Sequence, residues 1–153
     1  MYSEHEITQR EAVLRKLRRM LERQRERFQD YLHVLDTQQS AIAQDNLDAL
    51  EQQVELETSV LEQIVQTQKT IAPLEQMYQQ LNGGTAFPAD IAAMQTNLTE
   101  MRSRISAHNA DNRARLSRQI EQMRHKVAQL RIPNRHTSPY AAAGGGSMVD
   151  IQG

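Results

Sequence analysis

A metal centre or an acid–base pair in this chain would have to be built from its five histidines, His5, His33, His108, His125 and His136, together with its carboxylates. Glu121 and His125 stand four residues apart, which on a helix puts a carboxylate and an imidazole on one face. A di-iron bundle site needs a second Glu-x-x-His pair, and the sequence has none. Seven methionines at helical spacing read as adaptable core filler, not as a metal box. No Gly-x-Ser-x-Gly elbow exposes a serine nucleophile, and neither Gly83-Gly84 nor Gly144-Gly145-Gly146 has the strand and trailing lysine of a phosphate cradle. Asn97-Leu98-Thr99 matches a glycosylation triplet that matters only in a secreted chain. No catalytic residue, metal or cofactor is expected, and no small-molecule substrate.

Composition points the same way. The 153 residues suffice for one domain, but only 39% are apolar, there is no Trp and there are two Phe. Without Cys there is no disulfide framework, and the polar, acidic start from Met1 to Glu6 carries no signal-peptide pattern. No apolar run approaches the roughly 20 residues that cross a bilayer. The expected setting is the cytoplasm, without membrane insertion. Net charge is −1, but it is segregated: +1 over residues 1–44, −7 over 45–90 and +5 over 91–153. An acidic middle segment can be complemented by both neighbours. Arg15-Lys16-Leu17-Arg18-Arg19 suggests a nucleic-acid surface, but no aromatics are interleaved for base stacking, so none is expected.

Gly and Pro divide what remains. From Ser3 to Gln80 there is no Gly and one Pro, Pro73, which should kink or break a helix. Asn82-Gly83-Gly84-Thr85-Ala86-Phe87-Pro88 is a loop, and 89–132 is again free of both residues. The first segment repeats Ile7, Leu14, Leu21, Phe28 and Leu35 every seven positions, with Leu17 and Tyr31 between them. The second seam runs Leu47, Leu50, Val54, Leu61, Ile64, Gln68, Ile71 and Tyr78, interrupted at Glu57. The third reads Ile91, Met94, Leu98, Met101, Ile105, then Leu116, Ile120, Met123, Val127 and Leu130. The expected fold is all-α, an antiparallel bundle of three long helices with coiled-coil character over residues 1–132 (helices 4–39, 46–81 and 89–131). A flexible Gly-rich tail is expected over 133–153. Residues 40–46 lack Gly and Pro, so a hairpin, with Asp45 or Asn46 as N-cap, competes with one helix over 4–81, about 115 Å long. The hairpin is the favoured form.

The step from Ile105 to Leu116 breaks the seven-residue phase while keeping the face. His108, Asn109 and Asn112 fill the gap as a polar layer that can fix register. The third helix thus divides in two. Up to residue 105 each apolar stripe is expected to be the bundle's own core. Beyond it, Leu116, Ile120, Met123, Val127 and Leu130 either bury themselves or form a docking stripe for a partner helix.

The stretch Ala41-Ile42-Ala43-Gln44-Asp45-Asn46-Leu47-Asp48-Ala49-Leu50-Glu51 resembles the helix-connecting turn of bacterial flagellar export chaperones of the FlgN type. Asn109-Ala110-Asp111-Asn112-Arg113-Ala114-Arg115-Leu116 is similar to that family's paired asparagines before a leucine-rich helix. Pro139-Tyr140, the glycines and Ser147-Met148-Val149-Asp150-Ile151 look like its tail. The resemblance implies a cytoplasmic, non-catalytic chaperone for type III flagellar export. It would bind the C-terminal segments of hook-associated (hook–filament junction) proteins, prevent early assembly and deliver them to the export gate at the inner membrane. Leu116, Ile120, Met123, Val127 and Leu130 would hold the client and Tyr140 would face the gate. A weak homodimer is allowed. The rival reading is a structural coiled-coil or export-ATPase-associated scaffold that self-associates.

Overall fold

A computed structural model describes residues 3–135, with side-chain surroundings described up to Leu130. Three helices account for nearly all of it: α1 (Glu4–Ala43), α2 (Leu47–Leu81) and α3 (Ala89–Arg135). The chain divides into two units at Asn112/Arg113, inside the interval where the apolar phase changes. The first unit is the bundle of α1, α2 and α3 up to Asn112. The second, as far as it is described, is the remainder of α3.

Each helix starts and stops for a local reason. Ser3 caps α1: its hydroxyl accepts from Glu6 N–H (3.2 Å) and the Glu6 carboxylate accepts from Ser3 N–H (2.8 Å), a reciprocal capping box. The turn that lacks Gly is made by Asp45, the one described non-glycine residue at positive φ (54°). Asn46 N–H donates to Ala41 O (3.0 Å) and Asp45 N–H to Ile42 O (3.2 Å), the paired bonds of a Schellman stop. Asn46 then caps α2, accepting from Ala49 N–H at 3.1 Å. The hairpin forms and the unbroken helix over 4–81 does not. At the other end Gly83 takes the left-handed position (φ 64°), and Gly84 N–H closes the same motif on Gln79 O (2.8 Å).

A left-handed Asp carries a steric cost that Gly avoids. Asp45→Gly should therefore stabilise the chain by about 0.5–1 kcal/mol. A urea midpoint unchanged or lowered by Asp45→Gly would contradict this account of the turn.

Two helix ends differ from the expected limits, whereas α2, expected at 46–81, spans Leu47–Leu81. Pro73 does not break α2, which runs through it to Leu81. The missing N–H removes one ladder bond, while Leu74 and Ile71 on either side stay buried and hold the segment. α1 ends at Ala43 rather than 39, and α3 ends at Arg135 rather than 131.

Inter-helix contacts give the topology. Gln24 Nε2 donates to Ile64 O (3.1 Å) and Tyr31 OH to Glu57 Oε1 (2.7 Å), so α1 and α2 are antiparallel. Arg18 meets Asp90 and Asp36 meets His108, both 72 residues apart, so α1 and the bundle part of α3 run parallel and in register. The result is an up-down-up bundle. Its inward rows are Leu17, Leu21, Gln24, Phe28, Tyr31, Leu35, Gln38 and Ile42 on α1, and Thr67, Ile71, Leu74 and Tyr78 on α2. Ile91, Leu98, Met101 and Asn112 face them from α3. The alternating three- and four-residue steps are the coiled-coil repeat expected of such packing.

Candidate partner-binding surface

The polar layer ties α3 to α1. Asn112, 3% exposed, donates from Nδ2 to the Leu35 carbonyl (2.9 Å). His108 Nε2 lies 2.7 Å from Asp36 Oδ1, and Asn109 is half-buried beside them. An asparagine that must find one carbonyl is satisfied in one register only, which is how a polar seam residue sets alignment at the cost of apolar burial. At the opposite end Arg18 grips Asp90 with Nε (2.6 Å) and Nη2 (3.3 Å). The hydrogen bond from Arg18 holds the Asp90 carboxyl below its usual range and raises the guanidinium. Arg25 likewise lowers Glu22, chiefly through its hydrogen bond.

Arg18, Arg25 and Arg27 are engaged by Asp90, Glu22 and Asp30, and Glu22 and Glu26 are interleaved with the arginines along the same face. Among the described residues no three His, Asp or Glu side chains are grouped to hold a metal, and Glu121 meets Arg124 at 3.4 Å.

Past Asn112 the apolar row changes character. Leu116 is half-buried, Ile120 is 42% exposed, Met123 57%, Val127 49% and Leu130 73%. Every residue from Glu121 to Leu130 is exposed. Arg113, Arg115, Arg124 and Lys126 flank the row, and Arg118 and Glu121 lie farther round the helix. A continuous apolar strip with basic borders is a surface complementary to an amphipathic helix with acidic borders. Tyr140 and the rest of the expected tail beyond Arg135 lie outside the described residues.

A second strip escaped the reading of periodicity. Leu47, Val54 and Leu61, assigned from sequence to the α2 seam, are 65%, 50% and 42% exposed, Leu50 is only half-buried, and Val65 beside them is 50% exposed. The inward row here is Gln53, Glu57, Val60 and Thr67 together with Ile64, which the seam did include, all buried or half-buried. Glu57 belongs there because two α1 donors satisfy it: Tyr31 OH and Gln38 Nε2 (2.8 Å). Its presence was legible as an interruption. What would have revealed the true face is the pairing of that interruption with buried-position polar residues on α1.

The fold is that of a three-helix up-down-up bundle whose last helix carries an apolar row outside the core. The chain is 31% identical over 149 residues to an uncharacterized protein of Treponema pallidum (strain Nichols), a match covering 97% of this chain and 95% of that one. It belongs to the same family as that protein. No family model matches the chain, and no solved structure matches it. Among the described residues no helix is long and apolar enough to cross a membrane.

Proposed function

We propose that this protein is a cytoplasmic, non-catalytic chaperone of flagellar type III export. It binds the C-terminal amphipathic segments of hook-associated proteins, keeps them from assembling early and delivers them to the export gate. The observation that carries the reading is the exposed row Ile120, Met123, Val127 and Leu130 on a helix whose preceding part is locked into a bundle. The FlgN-like residues around Asp45-Asn46 and Asn109–Asn112 supply the choice of client. Junction-protein termini pair through apolar heptads during assembly, and a strip of matching spacing covers those heptads until release. Tyr140 takes the gate-facing role in this scheme.

Completing the burial of a side chain such as Ile or Leu is worth about 1.5–3 kcal/mol from full exposure, and less from half exposure. Four or five such contacts suit a client that is held and then released. Ile120→Asp with Val127→Asp places two charges in the strip without touching the bundle core. In a fluorescence-anisotropy titration with a synthetic C-terminal junction-protein segment, the wild-type chain should bind. The double variant should lose about a hundredfold or more in affinity, roughly 2.7 kcal/mol, with unchanged helical circular dichroism. Equal binding by the two proteins, or none by the wild type, removes the assignment.

A further inference from the structure

We propose that, in the absence of any client, the α3 strip of one molecule docks on the outward α2 strip of a second copy of the same chain in a head-to-tail contact. This does not depend on what else the α3 strip binds. The two surfaces match in apolar content, spacing and charge.

On α2, the exposed Leu47, Val54 and Leu61 and the half-buried Leu50 are each followed at once by an acid: Leu47-Asp48, Leu50-Glu51, Val54-Glu55 and Leu61-Glu62. The apolar row and the acidic row therefore run side by side, one helical step apart. All four acids are exposed, and α2 contains a single base, Lys69. The α3 strip is bordered by bases instead, on a segment (113–130) whose one acid is Glu121. Each strip spans fourteen residue steps, about 21 Å.

Their spacing fixes the direction. Read forward from Leu47, the α2 apolar positions fall at steps 0, 3, 7 and 14. Read backward from Leu130, the α3 positions fall at 0, 3, 7, 10 and 14. An antiparallel pair thus sets Leu130 opposite Leu47, Val127 opposite Leu50, Met123 opposite Val54 and Leu116 opposite Leu61. In that register Arg124 falls between Glu51 and Glu55, and Arg113 falls beside Glu62. These are flanking positions, where facing helices form the ion pairs that choose partners. Two different strips meet, so the contact is heterologous and can repeat from copy to copy.

The test uses the full-length chain, without client, in sedimentation equilibrium over micromolar to millimolar concentrations. A concentration-dependent self-association that weakens with added salt is expected, because the flanking pairs are exposed. Glu51→Lys with Glu55→Lys, and separately Arg113→Glu with Arg124→Glu, should each raise the dissociation constant at least about tenfold. Neither change touches the core, and circular dichroism reports that each variant is folded. Mixing the two variants sets the basic α2 strip of one against the acidic α3 strip of the other, so mixed association of near wild-type affinity should return. A wild-type chain that stays monomeric throughout overturns the proposal. So does a self-association indifferent to both charge reversals, or a mixture that fails to associate.

Discussion

Glu57→Ala should destabilise the bundle by about 2 kcal/mol, a large loss for a residue that looks like a flaw in a hydrophobic repeat. Its carboxylate accepts from Tyr31 OH at 2.7 Å and from Gln38 Nε2 at 2.8 Å. Both donors come from buried residues, 2% and 6% exposed. Hydrogen bonds to an ionised group contribute roughly 1.5–3 kcal/mol, and the loss is greatest when a buried donor is left without its acceptor. Alanine removes both bonds and supplies no apolar volume in return. Glu57→Gln keeps one good acceptor but places a donor against the Gln38 amide, so an intermediate loss of about 1 kcal/mol is expected. Urea unfolding with an unchanged slope measures both. An alanine variant within 0.5 kcal/mol of wild type would mean that solvent satisfies these donors, and Glu57 would then not organise the α1–α2 seam.

Glu57 also explains why the helices were legible and their faces less so. Helix number and approximate limits follow from local chemistry, because capping side chains and Gly-rich loops act over a few residues. Ser3, Asn46, Gly83 and Pro88 lie where such signals place them. The inward row of α1 was also readable, since Leu17, Leu21, Phe28, Tyr31 and Leu35 are apolar and buried. On α2 two apolar rows compete, and the richer one, Leu47-Leu50-Val54-Leu61, faces outward. Periodicity ranks faces by apolar content alone. The actual choice is made by partners on another helix: Gln24 donating to the Ile64 carbonyl, and Tyr31 and Gln38 donating to Glu57. Those are pairings between distant positions, invisible to a window of neighbouring residues. Asp45 is a smaller case, in which a residue other than Gly occupies the left-handed position and the expected punctuation is missing. On α3 the phase break between Ile105 and Leu116 did mark a real transition, from the buried Met101 and Asn112 to the exposed row after Leu116.

The contrast between the two kinds of leucine yields the largest expected effect. Leu17 is fully buried in the cluster where α1 meets Ile71, Leu74 and Ile91. Leu17→Ala removes its transfer free energy and leaves a cavity that long, well-supported helices cannot easily close. A loss of about 3–4 kcal/mol is expected. Leu61→Ala deletes the same atoms from a side chain that is 42% exposed on α2. Alanine's helix propensity is slightly better than leucine's, so in dilute solution the change should stay within about 0.5 kcal/mol. Denaturant unfolding at low micromolar protein measures the two side by side. If Leu61→Ala cost as much as Leu17→Ala there, the α2 strip would be core, and neither its exposure nor its availability to another molecule could stand. If the pair separates by about 3 kcal/mol, the apolar side chains of this sequence fall into two populations. One population holds the bundle together. The other, more than a third exposed on α2 and on the end of α3, contributes little to folding and is available for association.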